Sequence, residues 1–345
     1  MSWVEQELRE QPAALAQLLG AETDNVLALA GNLVGADVHY LLIASRGSSG
    51  NAARYAQYLL GTENRLPVSF ATPSLYTLYD APPRLEGALA IGISQSGASP
   101  DVVAVLAEAR SQGRPTLAIT NEVDSPLAQA AEWTLPLHAG EEHAVAATKT
   151  YLNSIACVAL LSAALAGDES HLRALHALPA ALTDQIEHSL AHAERLDPYR
   201  DAEGGSVVAR GVNYGTAFEI ALKIRELSGI PFEPFSSADL LHGPIAALKP
   251  GEPVIVVAPS GPALESLRGF VAKLRERRVR VIAIADDEAL LASADTALPL
   301  VATTPEWLSP LVSVLPGQVA ALRLATIRGA DVDSPVGLTK VTLTR

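Results

Sequence analysis

The chain has 345 residues, of which 49% are hydrophobic and 18% charged, enough for about two domains with full cores. A formal net charge of −13 argues against nucleic acid and anionic membrane surfaces as partners. A single cysteine, Cys157, excludes an internal disulfide, and its apolar neighbours in 155–161 mark it as a packed core residue.

The N-terminus carries Glu5 and Glu7 and has no apolar leader, so no export signal is expected. No window reaches about 18 uninterrupted apolar residues, so no membrane span is expected, and a cytoplasmic protein is predicted. The first roughly 35 residues predict helix. Short aliphatic strands follow near 38–44, 66–70, 87–93, 115–119 and 133–137, with amphipathic helices between them, such as 101–112. A polar stretch over 188–205 holds the join to a second set of strands near 206–210, 253–258, 279–284 and 296–300, with a helix over 264–277.

The two sets repeat one pattern. Arg46 and Arg210 are 164 residues apart, and so are Gly97 and Gly261. Leu117-Ala118-Ile119 matches Ile282-Ala283-Ile284 within one residue of that spacing, and Leu135-Pro136-Leu137 matches Leu298-Pro299-Leu300. Apolar strands alternating with helices in two copies predict an α/β protein with two tandem, doubly wound parallel sheets. The division expected is 1–185 and 186–345, with the N-terminal helices in the first part and a packed C-terminal tail in the second.

Ligands of such sheets bind at the carboxyl ends of strands. Two such ends are Arg46-Gly47-Ser48-Ser49 and Ser94-Gln95-Ser96-Gly97-Ala98-Ser99, the latter running into Pro100-Asp101 and a helix. Hydroxyls and unpaired backbone N–H groups at a helix start suit an anion. No Walker lysine and no GxGxxG is present, so a phosphomonoester is favoured over a nucleotide, against the alternative of an ordinary serine-rich N-cap.

In the second half, Glu219, Lys223 and Glu226 stand at i, i+4 and i+7 on one helix face. Such a face is either a solvated run of ion pairs or an acid–base device. His242 precedes Gly243-Pro244 at a sharp turn, and histidine suits proton transfer near neutral pH. Lys340 lies among Gly337, Leu338, Val341 and Leu343, so the tail that carries it is expected to pack down.

Taken together and in order, these motifs resemble the isomerase half of glucosamine-6-phosphate synthase and its sugar isomerase domain relatives. The resemblance covers almost the whole chain. It includes Glu-Leu-Arg-Glu-Gln-Pro at 7–12, Gly47-Ser48-Ser49, the serine loop from Ser94, and Val145-Ala146-Ala147-Thr148-Lys149. It extends through the Glu219 helix, His242-Gly243-Pro244 and the Lys340 tail. It implies that Ser48, Ser49, Ser94, Gln95, Ser96 and Ser99 hold a sugar phosphate, with Val145 near the sugar. It assigns Glu226 to proton transfer between C1 and C2, and His242, supplied by the neighbouring subunit, to ring opening. Lys340 matches a lysine that forms a Schiff base with the open sugar, and Glu219 and Lys223 match supporting residues. A homodimer with shared active sites follows. No metal or organic cofactor is expected.

The chain departs from the synthase in two ways. It starts near where the isomerase part begins, so no glutamine-derived ammonia is expected, and position 147 is Ala where the synthase pattern has Ser. The Val-Ala-Ala-Thr-Lys form is similar to that of the deaminase and deglycase members. The favoured reading is isomerising deamination of glucosamine 6-phosphate to fructose 6-phosphate and ammonia. The alternatives are a related enzyme on galactosamine 6-phosphate or a fructosamine 6-phosphate, or a non-catalytic phosphosugar sensor.

Overall fold

In the computed structural model, which describes residues 1–335 and 337–340, the aliphatic runs form two five-stranded sheets with every pairing parallel. The first contains β1 (Tyr40–Ser45), β2 (Val68–Phe70), β3 (Ala88–Ile93), β4 (Thr116–Thr120) and β5 (Trp133–Pro136), in the order β2-β1-β3-β4-β5. The second contains β6 (Gly205–Ala209), β7 (Phe232–Ser236), β8 (Pro253–Ala258), β9 (Arg280–Ala285) and β10 (Thr296–Pro299). Its order, read from the other edge, is β7-β6-β8-β9-β10, the same topology again. Every residue of β3, β4 and β8 is buried, as strands covered on both faces require.

Strand β7 is absent from the sequence-based expectation. Its sequence, Phe-Glu-Pro-Phe-Ser, has no alternation and carries Pro234, which removes a ladder donor. The strand is tolerated because it is the sheet's edge and pairs only with β6.

Flanking helices cover each sheet. Pro100–Ser111 buries Val102, Val105, Leu106 and Ala109 against the β1–β3–β4 side of its sheet. Leu264–Glu276 does the same with Leu267, Phe270, Val271 and Leu274 on the second sheet. The first helix, Trp3–Val34, runs unbroken through Pro12. Two further helices, within Lys149–Ala166 and Glu306–Ile327, are long and apolar enough by composition to cross a membrane. Their apolar windows are 89% and 83% buried inside the fold, where they serve as core. Cys157 lies in the first of them, fully buried, and burial pushes its thiol well above the ordinary range.

The chain divides into two compact units. One comprises residues 1–12, 143–148 and 178–338 and holds the second sheet. The other comprises residues 13–142 and 149–177 with Thr339 and Lys340, and holds the first sheet. Of the tail around Lys340, Val332 and Pro335 are buried, Leu338 is exposed, and Val336 and residues 341–345 lie outside the described residues.

Candidate active site

Sheet register places the two serine-bearing loops. Ser45 and Ile93 pair at the carboxyl ends of β1 and β3, so the loops leaving both strands start level. Gly47 turns at φ 50°, and the helix Gly47–Glu63 begins at once with Ser48 and Ser49 in its first turn, both half-buried. After β3, Ser99 is the N-cap of the helix Pro100–Ser111 but makes no side-chain cap bond. Two helix N-termini thus start from adjacent strand ends, each with partial positive charge.

The serine loop is held rigidly. Ser94 Oγ accepts from the Gly97 N–H at 3.2 Å, and Ser96 Oγ from the Ala98 N–H at 3.3 Å. The Gln95 carbonyl accepts from the Asn121 N–H at 3.1 Å and the Thr120 hydroxyl at 3.2 Å. Gly97 sits at φ 59°, and a Cβ there would lie 2.1 Å from Ser125 Oγ. Arg46 donates through Nε to Asp101 Oδ2 at 2.8 Å, tying the two loops together. That pairing balances the guanidinium charge of Arg46.

The other unit carries the charged cluster of Glu219, Lys223 and Glu226 on the helix Tyr214–Ser228. Its start is fastened by Asn213, whose amide donates to Ser309 Oγ at 2.7 Å and accepts from Ser313 Oγ at 2.5 Å. Gly317, on the helix Ser309–Ile327, lets that helix approach Ile220, since a Cβ at 317 would lie 2.2 Å from it. Gly229, left-handed at φ 72°, ends the helix just after Glu226. Along it, Glu219 is 0% and Lys223 1% exposed. Lys223 Nζ lies 2.5 Å from Glu226 Oε2 and 3.5 Å from Glu219 Oε1. Burying such ions costs several kcal/mol each, so Glu219 and Lys223 are not a solvated face. Glu226 keeps 23% of its side chain exposed and is the member able to meet a ligand.

Val145 is half-buried in a segment held from the N-terminus. The Glu7 carboxylate, 1% exposed, accepts from the backbone N–H groups of His143 and Ala144. His242 ends the short helix Ser237–Leu241 at a turn through Gly243, φ 146°. It is exposed, and its imidazole has no hydrogen bond among the described residues. In the unit with the serine loops, Lys340 Nζ donates to Glu142 Oε2 at 2.8 Å. Glu142 escaped the sequence reading because its partner lies 198 residues away and no spacing links them. Among the described residues no cluster of three or more His, Cys, Asp or Glu side chains could hold a metal ion.

The repeat, the strand-end serine loops and the helix with buried Glu219 and Lys223 define a tandem parallel α/β protein. The SIS domain matches residues 36–164 and again 200–328, and the chain belongs to that family. It is 34% identical over 348 residues to the glutamine–fructose-6-phosphate aminotransferase (isomerizing) of Thermus thermophilus, covering 97% of this chain and 57% of the relative. The chain therefore spans a little over half the length of the curated relatives it matches. A structure from Silicibacter pomeroyi DSS-3, provisionally named a phosphosugar isomerase, superposes with a TM-score of 0.86 at 29% identity, over 96% of this chain and 99% of that one. The glucosamine-6-phosphate deaminase of Thermotoga maritima shares the fold, with a TM-score of 0.81 at 21% identity over 99% of this chain and all of that one.

Proposed function

We propose that this protein catalyses the isomerising deamination of glucosamine 6-phosphate, giving fructose 6-phosphate and ammonia. The observation that carries the reading is the partly open Glu226 carboxylate, held by the buried ammonium of Lys223. Aldose–ketose interconversion needs one base that removes a proton from carbon and returns it to the neighbouring carbon, and a positioned carboxylate serves both steps. In this reading the two serine loops take the phosphate through neutral donors. Val145 lies beside the sugar, His242 of a neighbouring copy opens the ring, and Lys340 meets the open-chain carbonyl. Release of ammonia, rather than its uptake from glutamine, is supported by the resemblance of Val145-Ala146-Ala147-Thr148-Lys149 to the deaminase and deglycase members. Ala147, at the position where the synthase pattern has a hydroxyl, points the same way. A cytoplasmic homodimer completes the proposal.

The test is ammonia release from glucosamine, galactosamine and fructosamine 6-phosphates, with fructose 6-phosphate measured in parallel. Release from glucosamine 6-phosphate supports the reading. Release only from another member of the panel moves the assignment to that substrate. Tight binding of sugar phosphate with no turnover on any of them replaces it with a sensor.

A further inference from the structure

Glu141 and Glu142 stand just ahead of the Val145 segment, and three contacts tie them to the start of the helix Lys149–Ala166. Lys149 Nζ donates to the Glu141 carbonyl at 2.7 Å, and the Thr150 N–H donates to Glu142 Oε1 at 3.1 Å. The Thr150 hydroxyl donates to Glu142 Oε2 at 2.7 Å. Two donors on its two oxygens fix the plane of the carboxylate, and the helix start offsets part of its charge. Capping that helix would require nothing more. Yet the same Oε2 accepts a third hydrogen bond, from Lys340 Nζ at 2.8 Å. The Glu142 side chain is 0% exposed and that of Lys340 25%.

We propose that Glu142 is a positioning residue for Lys340. The proposal rests on reading Lys340 as the amine that meets the open sugar. A lysine side chain has four rotatable bonds and, unheld, samples many positions. Reaction at a carbonyl needs the nitrogen within about 3–3.5 Å of carbon in one orientation, so an anchor that restricts the amine raises the productive fraction. Glu142 is a suitable anchor because it is itself immobile, being buried and bonded through both oxygens. It acts through Lys340 alone in this role.

The experiment uses the full chain and Glu142→Gln, which keeps an oxygen for the Thr150 N–H but removes the charge. Acetic anhydride labelling of Lys340, read by peptide mass analysis without substrate, should accelerate about tenfold, the scale of one charged hydrogen bond. An unchanged labelling rate overturns the proposal. With glucosamine 6-phosphate, kcat should fall about tenfold with KM little changed. The double variant Glu142→Gln/Lys340→Met should be no slower than Lys340→Met alone, whereas a merely structural role would make the two losses multiply. If Glu142→Gln does not fold, Thr150→Val, which removes a bond fixing Oε2, should raise labelling in the same direction, and no rise there is likewise fatal. Labelling reads the Glu142–Lys340 contact even in a protein without turnover, so failure of the proposed reaction is separable from failure of this inference.

Discussion

Lys223 reaches Glu226, three residues on, at 2.5 Å while lying 3.5 Å from Glu219, four residues to the other side, so one buried ammonium serves two carboxylates of the same helix. Removing the cation should therefore be costly. Lys223→Met leaves the fully buried Glu219 carboxylate without that charge, and the expected destabilisation is about 3–5 kcal/mol. Urea unfolding measures it. A loss under about 1 kcal/mol would be the size expected of a surface pair and would contradict the burial argument.

Glu226→Gln should bind substrate yet lose turnover by about 10²–10⁴-fold, because proton transfer at carbon lacks its base. Calorimetric binding and ammonia release, measured on one preparation, check both halves. Turnover within tenfold of the parent would assign the base elsewhere.

Ser96→Ala should mainly raise KM, by about tenfold or less, with kcat kept, as the loss of one neutral hydrogen bond dictates. Ser96→Asp should abolish sugar phosphate binding, since the Arg46 charge nearby is already matched by Asp101 at 2.7 Å. An active Ser96→Asp enzyme would place the phosphate in a different loop.

His242 is exposed at its turn. If a neighbouring copy receives it, then mixing inactive His242→Ala and inactive Glu226→Gln chains should restore part of the activity. No recovery after verified subunit exchange would mean that each chain completes its own site.

Cys157 is fully buried, and desolvation, with a smaller contribution from the Glu22 charge, raises its pKa above the usual 9.0. A raised thiol pKa means the folded state prefers the neutral form. This contribution to stability is complete below the unfolded thiol's pKa and falls away as pH rises above it. Native protein should therefore resist thiol reagents at neutral pH and react only on unfolding, and its midpoint in urea should decline above about pH 9. Rapid labelling of folded protein would refute the buried placement.

Much of this architecture is written locally. The runs at 88–93 and 253–258 are apolar throughout because both faces of a central parallel strand are covered, and Gly97 and Gly261 keep the repeat's spacing because both copies need a positive φ at the turn. The serine loop and the i, i+4, i+7 face of Glu219, Lys223 and Glu226 are legible for the same reason: a few neighbouring residues determine them. Strand β7 was not legible, because Pro234 contradicts strand propensity and only its edge position makes it acceptable. Nor could spacing distinguish a solvated ion-pair face from a buried one. Burial of Glu219 and Lys223 is decided by the tertiary packing of their helix, against which the helix Ser309–Ile327 lies close at Gly317 and Ile220. The roles of Glu7 and Glu142 belong wholly to the tertiary structure. Each is a carboxylate whose partners, at His143 and Lys340, lie 136 and 198 residues away along the chain. A hydrogen bond depends on a separation of about 3 Å in space, and composition or periodicity specifies no such distance between remote residues.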